Sequence, residues 1–310
     1  IFAQFLIEGN STNILALVGA DGNFLYDCNT CDFTPYYYFI RYDGEGDILI
    51  SNCIANAEKR FINYQRSNDN IKLSGNVNIQ NCKITCDSFT TIYRNQDTSH
   101  NIVNSSISAN TVFEEDFGDG DAIFLNCNIS CKTFSELRYG QGRRVLKGCD
   151  ITCESNGNLI RVNTSGNFSD VTFSDCIIHA TNGGIIFNNM GGATIGHISL
   201  MNNIINYDVA RQGIFIFGTT GSGTIDRFVI FNNVLNILDS RLIIDDSLTI
   251  TCIMAKDNIY VSNNASLGVS GSNAVIADAQ KTTNAIGTTR PGLASSGKGV
   301  MFYEKILQRY

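Results

Sequence analysis

The chain has no tryptophan, only two prolines (Pro35 and Pro291) and few charges: Asp, Glu, Lys and Arg make up 16% of its 310 residues, against about 25% in ordinary soluble domains. Each shortage closes something off. A net charge of −7 and a pI near 5.0 leave no basic excess to announce a nucleic-acid partner. No apolar run approaches the roughly 18 residues of a membrane-spanning helix, so no membrane insertion is expected. Nowhere does a 3.6-residue hydrophobic period last the roughly 10–12 residues that a helical or leucine-rich repeat needs. The missing tryptophan takes away the side chain most used to stack on sugar rings. The first residue is Ile1 rather than Met, which reads as a processed or trimmed start, and no signal peptide is legible after it.

What is abundant is asparagine, and one short phrase that contains it. Asn81-Cys82-Lys83-Ile84-Thr85-Cys86 recurs as Asn126-Cys127-Asn128-Ile129-Ser130-Cys131 and as Gly148-Cys149-Asp150-Ile151-Thr152-Cys153. Looser copies surround Cys28, Cys53, Ser105, Cys176, Asn203, Asn233 and Asn258, so the steps between equivalents are 25, 29, 23, 22, 22, 27, 27, 30 and 25 residues. A unit of that length repeated ten times is a solenoid.

Inside each unit, apolar and polar side chains alternate, with Cys82, Ile84 and Cys86 set against Lys83 and Thr85. Period two means a strand with one face buried. A second short apolar run follows in each unit, such as Arg60-Phe61-Ile62 or Leu159-Ile160-Arg161. The fold class expected is therefore all-β: a single-stranded right-handed parallel β-helix of about ten coils, the handedness following from the rule for crossover connections. At 43% hydrophobic residues the chain can bury a long core. Asparagine suits such a stack, because it tolerates left-handed bends and hydrogen-bonds its copy in the next coil. Residues 1–26 read as an N-terminal cap, 27–264 as the β-helix, and 265–310 as a linker and the start of a C-terminal appendage. The connections Asn95 to Asn101, Asn163 to Asp170, Asn188 to Gly196 and Gly218 to Thr224 lack patterning and read as surface loops.

Most of the eleven cysteines fall in two columns. Cys28, Cys53, Cys82, Cys127, Cys149 and Cys176 form one, with Cys86, Cys131 and Cys153 in the other. They read as small buried hydrophobes with free thiols, which fits folding in a reducing compartment, although stacked cysteines lie close enough to bridge. Cys28-x-x-Cys31 has no second pair and is a weak zinc signal.

The end of the chain carries a resemblance. Gly287-Thr288-Thr289-Arg290-Pro291-Gly292, Gly299-Val300-Met301-Phe302-Tyr303 and Leu307-Gln308-Arg309-Tyr310 resemble a C-terminal element of phage tail-fibre and tailspike-like proteins, those of gut Bacteroidales hosts above all. Glu304 stands where that element usually has Asp. The resemblance implies a virion-tail or extracellular, cell-surface location, a bacterial surface polysaccharide as partner, and a homotrimer. The β-helix body is similar to tailspikes, polysaccharide lyases and pectin-degrading hydrolases alike, so the fold by itself selects none of them.

On a parallel β-helix, outward residues of successive coils stack about 4.8 Å apart, so sites are columns. The second strand of each unit gives an outward column read as Arg41, Asn63, Tyr93, Asp116, Arg138, Arg161 and Phe187. Rings and planar polar groups of this kind line glycan grooves. The plainer reading is a solvated face whose Asp116–Arg138 pair contributes little. Glu114 and Glu136 fall in adjacent coils beside it, and residues 114–121 are the densest acidic stretch. Glycoside hydrolysis needs two carboxyl groups, one with a raised pKa. Glu114 with Glu136, or Asp116 with Asp119, supplies the candidates. A lyase would need a Lys or Arg base, and Arg138, Arg143 and Arg144 lie nearby. Asp119-x-Asp121 is alternatively half of a Ca²⁺ loop, or simply a polar connection, and otherwise no cofactor is expected. His100, His179 and His197 form no triad with a nucleophile. Asp245-Asp246 with Arg241 is a second, thinner acidic cluster.

Overall fold

The computed structural model describes residues 13–18, 24–27, 32–43, 47–64, 74–92, 97–116, 119–137, 142–162, 167–180, 185–188, 194–207, 215–217, 224–237, 244–246, 249–260, 275–276 and 279–281. All of the regular structure among them is strand, and every pairing is parallel. One sheet stacks eleven strands, from Phe24–Asp27 through Asp97–Val103 and Arg144–Lys147 to Val275–Ile276. The other holds fifteen, running from Asn13–Val18 through Ser106–Asp116 and Asp150–Val162 to Ala279–Lys281. Along the chain each strand of the smaller sheet is followed by one or two of the larger, which makes a parallel β-solenoid.

Twelve strands lie along the main path of the larger sheet, more than the ten coils expected. The two extra rungs of that sheet are Asn13–Val18, inside the stretch read as a cap, and Ala279–Lys281, inside the stretch read as a linker. They lack the Asn-Cys phrase by which the coils were counted. The larger sheet also forks. Asp150–Val162 pairs through its first half with Ile177–Ala180 and through its second with Ile185–Asn188, so each long strand serves two faces of the coil.

The repeated phrase is a corner. Asn52, Asn81, Asn104, Asn126, Asp175, Asn202, Asn232 and Asp257 all have φ between 50° and 58°, the left-handed region that Asn and Asp tolerate best among residues with a side chain. Gly148 fills the same place at φ 64°, and a Cβ there would also meet the Asn126 amide oxygen at 2.6 Å. One left-handed residue and one column residue carry the chain from the smaller sheet into the larger.

The column residue is buried in every described coil, as expected, but it is not chosen for being apolar. Ser105, Asn203, Asn233 and Asn258 share the column with the cysteines, all of them at most 3% exposed. From Cys82 to Asn258, each places a donor against the carbonyls of the smaller sheet. Cys127 Sγ lies 3.5 Å from Ile102 O and 3.3 Å from Leu125 O, and Cys176 Sγ lies 3.4 Å from Leu146 O. Asn203 Nδ2 donates to Phe173 O at 3.0 Å and Asn233 Nδ2 to Leu200 O at 2.9 Å. The asparagines also accept: Asn233 Oδ1 takes Asn203 N–H at 2.9 Å and Asn203 Oδ1 takes Cys176 N–H at 2.9 Å. A compact hydrogen-bond donor is the shared requirement, and cysteine meets it weakly.

The described cysteines are all free. Hydrogen bonding with Cys149, then burial, pushes the thiols of Cys127 and Cys176 up, and burial pushes Cys86 and Cys153 to about 12. These four stay protonated at neutral pH, so they are poor nucleophiles. Cys28 and Cys31 lie outside the described residues.

The core between the sheets is aliphatic over most of its length, but one zone is aromatic. Phe61, Phe89, Phe113 and Phe134 come from four successive long strands, and Phe124 meets them from the smaller sheet. Phe113 is the hub, with ring centroids 6.2, 5.9 and 5.7 Å from Phe89, Phe124 and Phe134. The stretch Asn95 to Asn101, expected as a loop, is largely strand Asp97–Val103. Its inward residues Thr98 and His100 are polar, which hid the alternation.

Candidate functional site

The second halves of the long strands present the outward face expected to hold a site. Three strands build its best-ordered part. Arg60 leaves Ile54–Tyr64 and donates from Nε and Nη2 to Glu114 Oε2 at 3.0 and 2.6 Å, reaching across the intervening strand Lys83–Ile92. Its Nη1 donates to Asn63 Oδ1 at 3.1 Å. The Arg60 side chain is only 18% exposed, so its apolar stem packs on the sheet while its guanidinium stays at the surface. Farther along, Arg161 Nη1 lies 3.3 Å from Glu136 Oε1.

The stacking differs from the column read off the sequence. Arg41 pairs in register with Asn63, as expected. Asp116, however, lies beside Ile92 and Leu137 rather than beside Arg138, and Arg161 lies beside Glu136. The pairing shifts between Asn56 and Arg60, between Thr90 and Ile92 and between Ser135 and Leu137. Each irregularity displaces everything downstream of it, and none leaves a mark in the sequence. Phe187 pairs with Ile160, and the neighbour of Arg161 is Asn188 instead. Tyr93 and Arg138 lie outside the described residues, as do the side chains of Arg41, Asp116 and Phe187.

The structure thus joins Glu114 with Arg60 and Asn63, and Glu136 with Arg161. Arg60 went unrecognised because its place in the run Arg60-Phe61-Ile62 suggested a strand end rather than a long reach. Charge alternation three residues before Asn63 was the available signal. What the face offers chemically is a set of oriented guanidinium, carboxylate and amide groups, able to give and accept charge-assisted hydrogen bonds with hydroxyl groups.

The acidic stretch resolves differently. Asp121 accepts from Arg143 Nη2 at 2.6 Å, from its Nε at 3.0 Å and from its backbone N–H at 2.9 Å. Hydrogen bonding from the Arg143 side chain holds the Asp121 carboxyl below the usual carboxylate range. Asp119 is exposed one residue before Gly120, whose carbonyl accepts from the buried Arg144 at 2.8 Å. Gly142 rests directly on that carbonyl, where any Cβ would collide. The loop is therefore fastened by two arginines of the next coil. No group of three or more His, Cys, Asp or Glu side chains able to hold a metal ion occurs among the described residues. In the second cluster, Asp245 and Asp246 lie on strand Ile244–Asp246, and Arg241 is outside the described residues.

The histidines have separate environments. His197 Nδ1 sits 2.9 Å from Asp170, and His179 meets the Asn206 amide at 3.3 Å. His100 is fully buried against Phe113, and burial, then the Arg144 charge, lowers its pKa to about 3. It stays neutral when folded, whereas the unfolded chain takes up a proton below about pH 6.5. Stability should therefore be complete above that pH and fall on acidification towards pH 3, by about 2 kcal/mol already at pH 5. Denaturant midpoints at pH 7 and pH 5 test this. His100→Val, which copies its register neighbour Val77, should flatten the difference, and an equal slope in the variant would refute the assignment.

Comparison with protein-family models, with characterised proteins and with solved structures finds no match to this chain. The fold and the face described above therefore carry the functional argument.

Proposed function

We propose that this chain is a polysaccharide-recognising solenoid, of the kind that a phage tail carries as a spike or fibre. The observation that carries the reading is the outward face of the long strands, where Arg60, Asn63, Glu114, Glu136 and Arg161 set guanidinium, carboxylate and amide groups along several coils. A stiff stack lets individually weak contacts with a repeating polymer add up. Three chains in parallel would multiply the effect. The C-terminal segment behind the tailspike resemblance, 287–310, lies outside the described residues, so virion location and trimer rest on sequence alone.

The test is retention on immobilised capsular polysaccharide from gut Bacteroidales. Parent protein should be held, and Arg161→Ala or Asn63→Ala should weaken retention by about tenfold, the effect of losing one hydrogen bond to a charged or well-oriented group. Equal retention of parent and variants would remove this face from consideration. Release of shortened glycan by the parent but not by Glu136→Gln would instead make the protein a polysaccharide-degrading enzyme.

A further inference from the structure

A second surface feature lies at the corner rather than on the long-strand face. A shallow groove of about 520 Å³ runs parallel to the solenoid axis across four coils. One wall is the row of left-handed asparagines, Asn52, Asn81, Asn104 and Asn126. The other is the first outward residue of each long strand: Ile54, Lys83, Ser106 and Asn128. The buried column of Cys53, Cys82 and Ser105 forms the floor.

Two facts distinguish this stretch from the same corner elsewhere. Farther along the stack the corner side chains satisfy one another, with Asn202 donating to Asp175 and Asn232 to Asn202, each at 3.0 Å. In the groove Asn81 donates to Asn52 at 3.2 Å. Among the described residues, the side chains of Asn104, Asn126, Asn128 and Lys83 make no hydrogen bond to the protein. Moreover, the second wall turns apolar beyond the groove, where Ile177, Ile204, Val234 and Ile259 follow Asp150 in register. The groove ends at Gly148, which has no side chain to continue the row.

We infer that this groove is a second binding site, for a linear, hydroxyl-rich glycan lying along the axis. Each primary amide offers two donors and an acceptor in one plane, a pattern that matches neighbouring hydroxyl groups. The amides repeat with the coil spacing of about 4.8 Å, so a polymer of sugar rings meets an equivalent group at each step. The groove's one cation, Lys83, sets the charge tolerance. The ligand is neutral or carries an occasional carboxylate, and a densely anionic chain is not accommodated. The inference rests on the glycan-binding reading above but assigns a different surface to it.

The register supplies variants that keep the backbone. Asn104→Gly and Asn126→Gly reproduce Gly148 at the same left-handed corner, and Asn128→Ser reproduces its partner Ser106. The experiment is native gel electrophoresis of the full chain through gels containing amylose, laminarin, mannan or the Bacteroidales capsule, with thermal unfolding as a check on folding. The triple variant should unfold like the parent and lose retardation by about tenfold or more, since three hydrogen-bonding amides are gone. Retardation lost in Arg161→Ala but kept in the triple variant would overturn the groove and leave the first face standing. The opposite pattern would support the groove and remove the first face. Parent protein retarded by none of the four glycans would overturn both.

Discussion

Asn233→Leu should destabilise the solenoid by about 4 kcal/mol, because it strands several buried polar groups at once, each costing roughly 1–3 kcal/mol. The Leu200 carbonyl loses the donor now 2.9 Å away, and the Asn203 N–H and amide lose their shared acceptor at 2.9 and 3.0 Å. Leucine copies the branched outline of asparagine but supplies neither group. Asn233→Ser should cost much less. In the same column, Ser105 accepts from Cys82 N–H at 3.1 Å and donates to Val103 O at 2.9 Å, so a hydroxyl keeps part of the network. Urea denaturation of the three proteins gives the comparison. Equal midpoints for the leucine and serine variants would mean that the column is held by packing alone.

Phe113→Ala is expected to cost a similar amount, about 3–5 kcal/mol, the usual range for a large buried ring deleted from a core that cannot collapse around the gap. Phe113 touches three other phenylalanines and His100, so the cavity would open at the junction of both sheets. Phe113→Leu, which refills most of the volume, should recover more than half of the loss. A cost below about 1 kcal/mol for the alanine variant would show that the aromatic zone relaxes freely, against the close packing assumed here. The consequence reaches the surface, because Glu114 is the next residue on that strand. A loosened Phe113 should disturb the Arg60–Glu114 pair and weaken glycan retention together with stability.

The repeat, the parallel pairing and the buried column were legible in the sequence because they depend on period and spacing, which one chain displays fully. Three things were not. The column's chemistry was misread, since cysteine outnumbers the asparagines that reveal the need for a donor. Asp97–Val103 was mistaken for a connection because Thr98 and His100 occupy inward positions. The third failure decided the candidate site. Asp116 and Arg138 look stackable when residues are counted from the cysteines, but irregular pairing after Thr90 and after Ser135 moves Leu137 into that place. Such shifts depend on how whole strands accommodate one another, so single-residue patterns do not announce them. Arg60 was missed for the related reason that its partner lies two coils away.

The corner has one further consequence. Coils differ in length by up to eight residues, from 22 to 30, yet at every described corner the passage from the smaller sheet to the larger uses one left-handed residue and one column residue. All the surplus must therefore be accommodated elsewhere around the circumference, and the asparagine edge works as a hinge-pin to which pages of unequal width are bound. Segments opposite that edge are free to lengthen, shorten or change composition while the spine stays straight, so such a molecule can alter what it touches without relearning how to fold.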